Sequence, residues 1–98
     1  MTRRVYLRPE AEEEIGHAAE WYAERGLELG SAFLDEVSRT IAALQSAPER
    51  YPIVDASIRK AVLRRFPYLL LYRATDEEVV VISCFHTRRD PREWRERL

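Results

Sequence analysis

Cysteine is almost missing from this chain: Cys84 is the single one among 98 residues. One thiol can form neither an intrachain disulfide nor a thiolate metal cage, and it favours a reducing compartment. Glycine is scarce too, and none of the three sits in a loop that could cradle a phosphate. No run of about 18 apolar residues occurs, so no transmembrane helix is read. The start Met1-Thr2-Arg3-Arg4 has the charge of a signal peptide, but Val5-Tyr6-Leu7 gives way at once to Arg8. Without an apolar segment behind the charge there is no secretory signal, and a cytoplasmic location is expected, with no membrane partner. No serine or cysteine has a plausible base partner, and no metal-ligand spacing appears. Any chemistry would therefore proceed without cofactor or metal.

What is present is charge, unevenly placed. The formal net charge is −1, from 16 basic and 17 acidic residues. Residues 1–49 hold 5 basic and 10 acidic groups, whereas residues 50–98 hold 11 and 7. Such asymmetry fits a polyanionic or acidic protein partner for the basic half, or two solvated faces of opposite sign. In the basic half only Lys60 is lysine. The rest is arginine, whose planar fork suits phosphate and carboxylate recognition.

The length fits one domain over 1–98 with a single hydrophobic layer interface. Thr2 to Arg8 alternates, with Val5 and Leu7 on one face, and reads as a short half-buried strand. Pro9 then suits a helix start, and Glu10, Glu12, Glu13 and Glu14 favour its dipole. Ala11, Ile15, Ala18 and Tyr22 form an apolar stripe beside Trp21, and Gly26 ends the helix. A second stripe of Phe33, Val37, Ile41 and Leu44 starts near Leu29 and stops at Ala47-Pro48, which predicts an antiparallel helical hairpin. An irregular connection runs to about Ser57. Three strands follow, Ile58 to Phe66, Tyr68 to Ala74 and Val79 to His86, joined by a Pro67 bend and a Thr75 to Glu78 turn. Asp90-Pro91-Arg92-Glu93 opens a short polar helix carrying Trp94. The order predicts an α+β fold, the hairpin covering one face of an antiparallel sheet and the other face open or covered by a partner.

Two positions invite a chemical reading. Arg73 shares a strand face with Leu69 and Leu71, so it must be paired or reach a wet surface. His86 closes the last strand, where an imidazole could act as general acid or base with Arg88 and Arg89 stabilising a phosphorane-like transition state, or could simply be a structural hydrogen-bonder. Arg59, Lys60, Arg64 and Arg65 could extend the basic surface.

The stretch from Ile58 to Trp94, with Arg59, Phe66-Pro67-Tyr68, Tyr72-Arg73 and the ending His86-Thr87-Arg88-Arg89-Asp90-Pro91 before Trp94, resembles the RelE/ParE family of toxins from bacterial toxin–antitoxin operons, also known as plasmid stabilisation proteins. The resemblance covers the whole chain. It implies a helical hairpin on a sheet, growth inhibition, and neutralisation by a cognate antitoxin. One branch cleaves messenger RNA on the ribosome. In that branch's pattern Arg88 matches the late basic position, but Leu69 stands where an arginine is expected, Trp94 where a tyrosine is, and only Lys60 remains of a lysine pair. His86, Arg88 and Arg73 would be the catalytic set there. The ParE-like branch, which binds DNA gyrase, lacks the nuclease residues, and the incomplete set leans this chain toward it. The binding surface expected from the resemblance comprises Arg59, Lys60, Arg64 and Arg73 on the sheet, and His86, Arg88, Arg89 and Trp94 at its end. Within it Arg59, Arg73 and Arg88 are expected to gather near neighbouring strand ends.

Overall fold

Period-two alternation and two helical stripes build the architecture, in a computed structural model that describes residues 3–96. Strand β1 is Arg4–Leu7, helix α1 Pro9–Arg25, helix α2 Leu27–Ser46, and strands β2 to β5 are Ile53–Asp55, Ile58–Val62, Tyr68–Ala74 and Glu78–His86; a short helix α3 spans Arg92–Arg95. Thr2, expected in the first strand, lies outside the described residues. The sheet order is β1-β5-β4-β3-β2. All pairings are antiparallel except that of β1, which joins β5 in parallel with Val5 opposite Val79. The helical hairpin forms the crossover that returns the chain to the sheet, so the mixed pairing follows from the connectivity.

The hairpin buries Ala11, Ile15, Phe33, Val37 and Leu44 against Leu70, Tyr72, Val79 and Val81 of the central strands. Tyr22, Phe33, Phe66 and Tyr68 pack ring on ring, with centroids 4.9 to 6.3 Å apart. Tyr72, fully buried, donates its hydroxyl to the Pro48 carbonyl. That bond and the Arg59 guanidinium, which donates to the Tyr51 carbonyl, fix the 3-10 turn at Pro48–Arg50.

Three sequence expectations need correction. The connection to Ser57 contains a strand, β2, too short to show alternation; it pairs at the sheet edge, and just before it the Pro52 carbonyl accepts the Lys60 N–H. The strand expected to reach Phe66 stops at Val62, because Glu36 of α2 captures the Arg64 and Arg65 N–H groups and draws residues 63–67 into a loop. The second face of the sheet is not simply open: Trp94 of α3 packs there against Ile58, Leu71, Ile82 and Phe85.

Strand β5 carries a bulge. Leu71 pairs with Ser83 and Tyr72 with Val81, so Ile82 is left over. The extra residue switches parity: Val79 and Val81 face the hairpin before it and Cys84 after it, whereas Ile82 and Phe85 join the Trp94 side.

The hairpin depends on one close approach. A Cβ on Gly30 would stand 2.9 Å from the Ala23 Cβ and 3.1 Å from the Ala19 carbonyl oxygen, while a Cβ on Gly16 would meet nothing within 4 Å. Gly16→Ala should therefore stabilise the protein by about 0.5–1 kcal/mol through helix propensity. Gly30→Ala should lose about 1–2 kcal/mol despite the same propensity gain, because the helices must part. Urea midpoints that moved the same way in both variants would refute the account.

Candidate functional site

On α1, Glu14, His17, Ala18, Trp21 and Tyr22 follow one another at steps of three, one, three and one, which places them on a single helix face. That face looks onto the end of the sheet where Tyr68 pairs with His86. Between them lies an open cleft of about 520 Å³, closed by Pro67, Cys84, His86 and Arg89.

Glu14 anchors the cleft wall. Strand β1 ends level with Val81, so beyond it the β5 edge has no neighbouring strand. Glu14 accepts there from the Cys84 N–H at 3.1 Å and from the Ser83 hydroxyl at 2.9 Å. The His86 ring stands edge-on to Tyr68 with centroids 5.0 Å apart, and its Nδ1 accepts the Arg88 N–H at 3.1 Å. An accepting Nδ1 carries no proton, so the neutral ring holds its proton on Nε2. Burial raises the Tyr68 hydroxyl above its ordinary value, with the charges of Tyr22 and Cys84 adding and Arg89 opposing; burial raises Tyr22 as well. Neither phenol is poised to give up a proton near neutrality. Trp21, half exposed, carries the Arg25 guanidinium 3.4 Å over its ring. Arg89 lies over Phe85 and pairs with Glu93.

Burial, followed by the Glu14 charge, pushes the Cys84 thiol from an ordinary 9.0 up to about 12, and burial pushes the Tyr72 phenol from 10.0 up to about 12. Both shifts favour the neutral form in the folded protein. Their stabilisation is complete below the unfolded values, 9.0 and 10.0, and is lost as pH rises through about 12. Urea midpoints should fall between pH 9 and 12, less steeply in Cys84→Ala, and Cys84 should resist iodoacetamide at pH 8 until the chain unfolds.

The residues picked out by sequence do not converge. Tyr68, opposite His86, and Arg73 are five residues apart on β4, roughly 17 Å at the rise of a strand, so Arg73 sits at the far end of the sheet from His86 and Arg88. Arg59 is opposite Tyr72, near Arg73, but its guanidinium is engaged by the Tyr51 carbonyl. The expected gathering of Arg59, Arg73 and Arg88 does not occur, because antiparallel pairing sends the end of β4 and the end of β5 in opposite directions. Lys60 faces the Trp94 side in mid-sheet, opposite Leu71. Arg64 and Arg65 line another cleft, with Arg39 and Glu36. Trp94 is 5% exposed and packs in the core of its face, so a large contact surface is not available from its ring. Glu14, His17, Trp21 and Tyr68 are cleft residues that sequence reasoning did not assign to a site; the spacing of the first three on the α1 face was the readable signal.

Among the described residues no group of three or more His, Cys, Asp or Glu could hold a metal ion, and no helix is long and apolar enough to cross a membrane. His86 and Arg89 share the cleft beside α1, whereas Arg73 lies outside it.

Known proteins match this chain along nearly its whole length. A family model described as the ParE toxin of the type II toxin-antitoxin system, parDE, matches residues 5–91. Toxin ParE2 of Mycobacterium tuberculosis, in strains CDC 1551 / Oshkosh and ATCC 25618 / H37Rv alike, is 28% identical over 95 residues, covering 93% of this chain and 88% of the relative. A solved structure of the chromosomal ParDE TA system from P. aeruginosa superposes with a TM-score of 0.77 at 14% identity, over 89% of this chain and 98% of that one, and speaks for the fold alone. With the family model running from β1 to the residue before α3, the chain belongs to the ParE toxin family of type II toxin–antitoxin systems.

Proposed function

We propose that this toxin arrests growth by binding a protein target, DNA gyrase, without bond chemistry, and that a cognate antitoxin neutralises it by covering the same end of the molecule. The carrying observation is the separation of His86 and Arg88 from Arg73 at opposite ends of β4 and β5. Phosphodiester cleavage needs its base and its charge stabiliser within hydrogen-bond reach of one phosphate. In the candidate ribonuclease set, His86, Arg88 and Arg73 acting with ribosome and messenger RNA, Arg73 stands too far from the other two to share a phosphate with them. The cleft of His86, Tyr68, Trp21 and Arg89 supports the binding reading, since exposed aromatics with an arginine beside them are the usual anchors of protein contacts.

Purified protein should inhibit supercoiling by gyrase, and primer extension on translated messenger RNA should show no codon-specific cuts. Cuts that vanish in His86→Ala would overturn the reading in favour of the ribonuclease. Arg88 is exposed, so Arg88→Ala should change stability by no more than about 0.5 kcal/mol while weakening growth arrest on induction without antitoxin. Growth arrest that faded only as far as the melting midpoint fell would assign Arg88 to the fold.

A further inference from the structure

Strand β1 carries a pattern that the His86 cleft does not use. Period two puts Arg4, Tyr6 and Arg8 on one face of this edge strand, with Val5 and Leu7 turned to the hairpin core. Arg4 is exposed and Tyr6 is 46% exposed. Across the sheet Tyr6 is level with Val80, and Val80 with Arg73, so the exposed Arg73 joins the same face. Arg8 and Arg73 together line a cleft of about 230 Å³ whose rim carries the Ser57 hydroxyl and Asp55. Glu78 stands opposite Arg4, whose N–H donates to the Glu77 carbonyl. Yet none of Arg4, Arg8 and Arg73 forms an ion pair among the described residues. The chain has more acids than bases, so leaving three arginines on one rigid face unneutralised is a feature to explain. Most of the acids sit instead on the two helices, on the other side of the sheet.

We propose that this face binds a single strand of nucleic acid. Arginine forks at Arg8 and Arg73, with the Ser57 hydroxyl, meet a backbone phosphate in the cleft, and Arg4, roughly 13 Å along β1 from Arg8, meets another. Tyr6 stands between them as a platform on which a base stacks, the alternation of cation and ring by which sequence-tolerant single-strand surfaces work. A duplex offers no unstacked base to Tyr6. A protein carboxylate could satisfy the arginines but would leave the ring without a role. The surface holds the strand and cleaves nothing. The proposal is independent of the gyrase reading and is tested without gyrase.

Fluorescence anisotropy with labelled dT12 and U12 oligonucleotides, and with a 12-base-pair duplex, tests it directly. Both single strands should bind and the duplex at least tenfold more weakly; the tighter of the two names the source of the strand. Binding should fall with salt at a logarithmic slope near −1.4, since each of the two phosphates neutralised on a single strand contributes about −0.7. Arg4→Gln/Arg73→Gln, at two exposed positions that should not disturb folding, should weaken binding at least tenfold and flatten the slope. Tyr6→Leu should weaken it about fivefold or more with the slope unchanged, the mark of lost stacking. Unchanged affinity in the arginine double variant would overturn the proposal. So would equal binding of the duplex, or displacement of dT12 by a glutamate peptide of equal charge at equal concentration, which would mark a face for protein carboxylates.

Discussion

Trp94→Ala is expected to lower the unfolding free energy by about 3–5 kcal/mol, the range for removing a large buried aromatic. For a domain of this size the melting temperature would drop by roughly 15–30 °C. The expectation rests on position, not on residue type. The Trp94 side chain is 5% exposed and completes a cluster with Ile58, Leu71, Ile82 and Phe85, on a sheet face where α3 supplies no other buried residue. Helix α3 is four residues long, too short to hold its shape alone, so the indole fastens it. Toxicity should fall in step with the folded fraction and recover in Trp94→Phe. A Trp94→Ala protein with a near-normal urea midpoint but no toxicity would show that the tryptophan belongs to a contact surface, as the resemblance alone suggests.

That contrast measures how far the sequence can be read. The helices were legible because their apolar stripes are long and regular, and strands β4 and β5 because each is a short apolar run between clear turns. Strand β2 was not, since three residues cannot display a period. The bulge at Ile82 was hidden because Val79 to Phe85 is apolar but for Ser83, and a parity switch leaves little mark in a nearly continuous apolar run. The candidate site suffered from the same limit in another form. Arg73 and Arg88 look adjacent when strand ends are counted along the chain, but antiparallel pairing fixes which ends meet, and it sets Tyr68, not Arg73, opposite His86. Residues on one helix face, by contrast, needed only the helical period, and Glu14, His17 and Trp21 could have been assembled from it.

The arginines also divide by job once the partners are known. Arg3 donates to the carbonyls of Thr75 and Gln45 and ties β1 to the end of α2 and the β4–β5 turn. Arg59 braces the turn at Pro48–Arg50. These two belong to the scaffold, whereas Arg4, Arg64, Arg73 and Arg88 are exposed. A charge count cannot separate the two groups, because a backbone carbonyl that captures a guanidinium is invisible in composition.

Glu36→Ala is expected to cost about 2–4 kcal/mol, because it strands two backbone donors at once. Glu36 is 6% exposed and lies on the buried side of α2 beside Phe33 and Val37, where an unpaired carboxylate would be prohibitive. It is paired with backbone, not with an arginine side chain: both of its oxygens accept N–H groups from Arg64 and Arg65, and Tyr68 then resumes the sheet with its own N–H on the Phe66 carbonyl. The carboxylate thus sets where β3 ends and presents Arg64 and Arg65 beside Arg39 at the sheet edge. Glu36→Gln keeps a carbonyl acceptor and should recover about half of the loss, whereas removing charge and acceptor together in Ala should not. Hydrogen exchange at the Arg64 and Arg65 amides reads the bond itself: protection should vanish in Glu36→Ala and persist in Glu36→Gln, while the amides of β4 keep theirs. If Glu36→Ala stayed within about 0.5 kcal/mol of the parent with both amides still protected, the loop would be held by its own turn geometry and Glu36 would have no part in placing Arg64.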